Sequence, residues 1–141
     1  MMNNAPSRTH FKNFEYRYLE EQKIHVITFL VSSRECTDEF MSFLTQLYDG
    51  LTSEDELSML VDYRQSGMQP VAYVLRKGAS WSNSLATHPK VHIAFIHKGD
   101  FVVGMFGALL NRLNFGHLRA QFYDGIDGYD KGIVWLENEQ F

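Results

Sequence analysis

Short β-branched apolar runs alternate along this chain with longer segments whose apolar residues recur at helical spacing. The runs are Lys23 to Val31 (KIHVITFLV), Leu57 to Val61 (LSMLV), Val91 to Ile96 (VHIAFI) and Leu118 to Tyr123 (LRAQFY). Each is too short for a helix and rich in residues that suit a pleated, buried surface. Between them, Phe40, Phe43, Leu44 and Leu47 stand at i, i+3, i+4 and i+7, one helical face. Val74, Gly78, Trp81 and Leu85 form a second such face, Phe101 to Phe115 a third apolar segment, and Ile126, Tyr129, Ile133 and Leu136 a fourth. Strands alternating with helices predict an α/β fold with a mainly parallel sheet, right-handed crossovers and about four helices. Phe14 to Leu19 (FEYRYL) alternates aromatic and charged residues, and the short polar link Glu20-Glu21-Gln22 joins it to the next run, so an N-terminal hairpin is expected. Residues 1–13 read as a loose tail and residues 14–141 as one domain.

Local signals mark the helix ends. Ser32 stands three residues before Glu35, a capping-box spacing, and Thr37 is the competing N-cap. Asp49-Gly50 stops the first helix. Pro70 suits the first position of the second, and His88-Pro89 ends it.

Composition narrows the class. The 141 residues are 45% hydrophobic, enough for a core without covalent staples. A net charge of −4 argues against nucleic-acid binding. One cysteine, Cys36, rules out an internal disulfide framework and fits a reducing, cytoplasmic setting. The opening residues lack the apolar run of a signal peptide, and no apolar stretch reaches the ~18 residues of a membrane span. The charge is segregated: eight acids and no Lys or Arg fall in residues 35–62, whereas residues 63–121 hold seven basic groups and one acid. Either solvated faces happen to segregate, or a partner reads one sign of charge.

The C-terminal half joins a tryptophan-bearing helix (Trp81) through His88-Pro89 to a strand, then a glycine-spaced apolar helix and a strand ending in Phe122-Tyr123-Asp124. Over about residues 14–137 this resembles the SpoIIAA-like, STAS-related proteins, a set of small bacterial chains. The resemblance implies a βα superhelix, shared by anti-sigma-factor antagonists and by the lipid-carrying CRAL-TRIO domains. The antagonists bind a partner kinase and carry a phosphorylatable serine at the start of the helix after the third strand. Here the loop DYRQSG supplies Ser66 followed by Gly67 near that place, without the Asp-Ser-Ser-Gly form of the family.

No catalytic motif is present: there is no GxSxG elbow, Walker loop or HExxH. No cofactor is implied. Cys36 has Glu35, Asp38 and Glu39 around it, which disfavours a thiolate, and it reads as a small apolar filler. His88, His92 and His97 lack both a common face and a completing carboxylate or cysteine, so no metal site is expected. Asp62 and Arg64 sit at the carboxyl end of a parallel strand, where ligands gather in open α/β sheets; Asp62 either caps the turn or orients Arg64. Ser66 is either an ordinary turn residue or a phosphorylation site. Aligning the strands by their starts gives a polar row, His25, Ser58, His92 and Arg119. The row is either a solvated edge or the lining of an anion or small-ligand site.

The segment 101–115 has few polar residues. It is either buried between neighbours or presents Val103, Met105 and Leu110 to lipid or protein. Aligned in the same way, Ile27, Phe29, Leu60, Ala94 and Ile96 fall on a second sheet face, which would lie open if helices cover only the first. A homodimer through that face or through helix 101–115 is therefore expected. The functional expectation is a non-enzymatic regulatory or protein-interaction module. The alternative is a carrier of a small apolar or lipid-like ligand near helix 101–115, with peripheral membrane contact.

Overall fold

In the computed structural model, residues 10–99 and 118–139 are described. Among these residues, five strands and three helices follow one another as β1 (Phe14–Leu19), β2 (Ile24–Phe29), α1 (Arg34–Tyr48), β3 (Glu56–Asp62), α2 (Val71–Ser84), β4 (Lys90–His97), β5 (Leu118–Asp124) and α3 (Gly128–Asn138). The strands form one sheet in chain order, β1-β2-β3-β4-β5. The β1–β2 pair is antiparallel and the other three pairs are parallel. The α/β class and the mainly parallel sheet with its N-terminal hairpin are thus present. The expected helix 101–115, with Val103, Met105 and Leu110, lies outside the described residues.

Helix α1 starts at neither of the expected caps. Ser33 is the N-cap: its backbone is extended, at φ −163°, and its hydroxyl accepts from Cys36 N at 3.0 Å. Thr37 is one turn inside, and its hydroxyl donates back to Ser33 O.

Residues that pair across a sheet share a face, and Tyr18 lies opposite His25, Tyr16 opposite Ile27 and Phe14 opposite Phe29. With Leu57, Met59 and Val61 of β3 and Val91 of β4, this first face packs under α1, whose Phe43, Leu44 and Leu47 are buried. The second face carries Ile24, Val26, Leu60, Ala94 and Ile96, and α3 covers it through Leu136, Ile133 and Tyr129.

The open apolar patch anticipated on the second face is therefore absent. Ile27 and Phe29 belong to the first face, and Leu60, Ala94 and Ile96 lie beneath α3; none of the five is more than 5% exposed. Self-pairing through this face has no surface to use among the described residues. Nor is any described helix long and apolar enough to cross a membrane.

The chain also docks earlier than residue 14. Phe11 stacks on Phe14 at 4.4 Å and meets Phe43 edge-on. The amides of Lys12 and Asn13 donate to the Glu39 carboxylate at 3.0 and 2.8 Å. The expected tail of residues 1–13 thus gives way to packed structure by Phe11, because Glu39 supplies acceptors that α1 itself does not use.

Close approach of α3 depends on Gly132. A Cβ there would stand 3.0 Å from Ile96 Cδ1 and 3.2 Å from both Ala94 Cβ and Leu60 Cδ1. Gly132→Val should therefore cost about 1–3 kcal/mol by overpacking, whereas Lys131→Ala, at an exposed neighbouring position, should stay within about 0.5 kcal/mol. Urea denaturation of both variants tests this; equal midpoints would contradict the docking geometry.

Candidate functional site

Only Ser82 is fully buried among the residues of α2, against five in α1. Val74, Leu75 and Trp81 are half-buried, so α2 stands off the sheet that α1 packs against. The space left is a cavity of about 160 Å³. Its floor includes Met59, Val61, Val91 and Phe95, and its walls include Phe40 and Met41 of α1 with Val74, Gly78 and Trp81 of α2. Aside from tyrosine and tryptophan, the polar residues lining it among those described are Thr37, Gln69, Ser82 and His88. The space is partly open to solvent, and its mainly apolar lining suits an apolar occupant.

What holds α2 in place is a seam of polar contacts to α1 and the chain before it. Ser32 Oγ donates to Met68 O. Ser33 N donates to Gln69 Oε1, and Gln69 Nε2 donates to Val31 O at 2.7 Å. Tyr73 Oη donates to Asp38 Oδ1 at 2.6 Å, and Lys77 Nζ lies 3.7 Å from the same oxygen. Trp81 Nε1 donates to Thr45 Oγ1 at 2.9 Å, and its ring meets Tyr48 edge-on at 4.7 Å. Tyr73, Lys77 and Trp81 recur every four residues, one stripe of α2. Tyr73, Arg76 and Lys77 were not singled out from the sequence, and Asp38 entered it only as an acid near Cys36 and the start of α1. The i, i+4, i+8 recurrence of residues with polar tips was the signal available.

The carboxyl end of β3 is built as a latch. Asp62 is 7% exposed; its carboxylate accepts from Arg64 N and Nε at 3.0 Å each and from Nη2 at 2.8 Å. Asp62 thus both caps the turn and orients Arg64. Arg64 Nη1 reaches Gly125 O at 3.5 Å, tying the end of β3 to the turn after β5. The hydrogen bond that Arg64 donates to Asp62 is the largest cause of the upward shift of its guanidinium pKa. Ser66 lies in the following turn, five residues before α2 begins. Its hydroxyl donates to Gly67 O, and Gly67 takes the left-handed φ of +75° that the turn needs.

Of the polar row, three members come together. Ser58, His92 and Arg119 are in register across β3, β4 and β5. His92 is 3% exposed, meets Trp135 edge-on at 5.7 Å and has Nε2 3.9 Å from Glu139 Oε2; Arg119 Nη1 lies 3.5 Å from that oxygen. A carboxylate of the chain itself thus occupies the place an anion would take. Burial lowers the His92 pKa, with Glu139 opposing. His25 is not in this row. It lies beside Met59 on the opposite face, where Tyr16 Oη stands 2.8 Å from its Nδ1 and Tyr18 packs at 4.6 Å.

Cys36 is fully buried, and its thiol is pushed up to about 12, first by burial and then by Glu39 and Glu35. It is held as a thiol, not a thiolate. No group of His, Cys, Asp and Glu among the described residues has the arrangement to hold a metal ion. Comparison with protein-family models, curated proteins and solved structures returns no match for the chain.

Proposed function

We propose that the protein is a binding module that takes a small apolar or lipid-like molecule into the space between α1, α2 and the sheet. The cavity carries this reading: about 160 Å³, bounded by apolar side chains and by a helix that meets its neighbour mainly through polar contacts at the rim. A ligand entering there removes its own apolar surface from water, at about 25 cal/mol per Å², and gains dispersion contacts with the walls. Because α2 contributes little to the core, small movements of it admit the ligand at modest cost. The carrier expectation placed its ligand near helix 101–115, outside the described residues; the pocket proposed here lies instead between α1, α2 and the sheet.

Trp81 lines the cavity and reports on it directly. Titration with 1-octanol should change tryptophan fluorescence and raise the thermal midpoint. At a hundredfold excess over the dissociation constant the stabilisation is about 2.7 kcal/mol. Val74→Trp should fill the space and remove both responses. Unchanged fluorescence and midpoint in the parent protein, or binding that survives Val74→Trp, would refute the reading.

A further inference from the structure

We propose that the ligand is an amphipathic anion, its apolar body in the cavity and its acidic group held at the α1–α2 seam by Arg34, Arg76 and Lys77. The inference rests on the binding reading above and adds the chemistry of the head group.

Three cations surround one aromatic ring. Arg34 Cζ lies 5.0 Å from the centroid of Tyr73, Arg76 Cζ 5.4 Å and Lys77 Nζ 5.7 Å. The ring face attracts each of them, yet like charges gathered this closely repel one another. One carboxylate, Asp38, answers the cluster, and it is already shared between Lys77 and the Tyr73 hydroxyl. Neither Arg34 nor Arg76 pairs with a carboxylate among the described residues. The other acids at the start of α1 are turned to different work: Glu35 pairs with Lys12 at 3.1 Å, and Glu39 accepts from the amides of Lys12 and Asn13. In a chain of net charge −4, and in a helix whose first turns hold three acids, this cluster keeps two positive charges without a carboxylate partner among the described residues.

The cluster also stands at the right place. Thr37 of α1 and Val74 and Gly78 of α2 line the cavity, and Asp38, Tyr73 and Lys77 adjoin them in sequence on the same two helices. In the proposed mode the ligand enters between the helices, past this cluster, to the apolar floor. Two guanidinium groups can grip a carboxylate or a phosphate through paired N–H donors, which a surface lysine cannot do. The volume suits an apolar body of about six to eight carbons. An acidic group on such a body would meet the cations at the rim, displacing Lys77 from Asp38 as it docks. A neutral ligand of the same length gains the cavity alone.

Calorimetric titration of the parent protein with octanoate, 1-octanol and octylamine separates these contributions. Octanoate should bind at least about tenfold more tightly than 1-octanol at low salt, and octylamine more weakly than either. The octanoate preference should shrink as salt is raised, while octanol binding stays constant. Arg34→Gln/Arg76→Gln/Lys77→Gln should abolish the preference and leave octanol binding intact, which also shows that the variant is folded. Asp38→Asn, which removes the competing carboxylate, should tighten octanoate severalfold. Equal binding of octanoate and octanol, or a preference that survives the triple substitution, would overturn the anion assignment while leaving the cavity reading standing. Failure of both ligands to bind the parent protein would overturn both.

Discussion

Phe43→Ala should lower the free energy of unfolding by about 3–5 kcal/mol, the range for truncating a fully buried aromatic side chain. Phe43 is 0% exposed and joins three separate parts of the chain. Its ring lies 5.3 Å from Phe11, 5.6 Å from Phe14 and 4.8 Å from Tyr16, with Phe40 one turn away on its own helix. Removing it leaves a hole among rings that cannot collapse far, because Phe14 is itself fixed against Phe29 and Phe40. It also takes away the support on which Phe11 rests. Phe40→Ala, at a half-buried position on the cavity wall, should cost clearly less. Urea titrations of the two variants decide the matter. A loss below about 1.5 kcal/mol for Phe43→Ala, or equal losses, would mean that this aromatic cluster is not the centre of the core.

Acid should unfold the protein through His25. Burial lowers this imidazole from 6.5 to about 4. Between those values the unfolded chain binds a proton that the native chain does not, so stability rises with pH across this window. It is fully present above about pH 6.5 and falls as pH drops toward 4, by about 3 kcal/mol in all. The native ring has no paired carboxylate among the described residues; its neighbours are Tyr16 and Tyr18, whose hydroxyls burial pushes up and keeps neutral throughout. His25→Asn retains an acceptor for the Tyr16 hydroxyl but does not titrate. Its stability should fall about 3 kcal/mol less than the parent's between pH 7 and 4. Other groups act on both proteins alike, so parallel losses in the two would rule out His25 as the acid-sensitive site.

Periodicity located the elements well, because period 2 and period 3.6 are imposed on the residues by burial itself. The faces were harder. Aligning strands by their first residues placed Ser58, His92 and Arg119 in one row, as observed, since β3, β4 and β5 do start in register. The same alignment failed for His25 because β2 is offset: His25 lies beside Met59, not Ser58. A shift of one residue sends a side chain through the sheet, and no composition signal marks it. The hairpin pairing of Tyr16 and Tyr18 around His25 fixes the true face, but reading it requires the β1–β2 register first. The cavity was not legible at all. It depends on how far α2 stands from the sheet, which is set by tertiary contacts such as Tyr73 to Asp38 and Trp81 to Thr45 between helices distant in sequence.

Strand order that follows chain order has a consequence for how the protein is made. Every pairing in the sheet joins consecutive strands, so the sheet can grow by accretion as the polypeptide leaves the ribosome, each strand adding to an edge already in place. The helix that covers the second face is different. It follows β5, so the described cover of Ile24, Val26, Leu60, Ala94 and Ile96 arrives only when α3 has been synthesised. Until then these aliphatic side chains lack the cover of α3, and bare aliphatic sheet surface is the kind that chaperones capture and that neighbouring nascent chains stick to. Arrival of an eleven-residue helix ends the exposure. Interruption of synthesis between β5 and α3 would release a fragment that holds the five described strands without α3 over the second face, and so prone to aggregate.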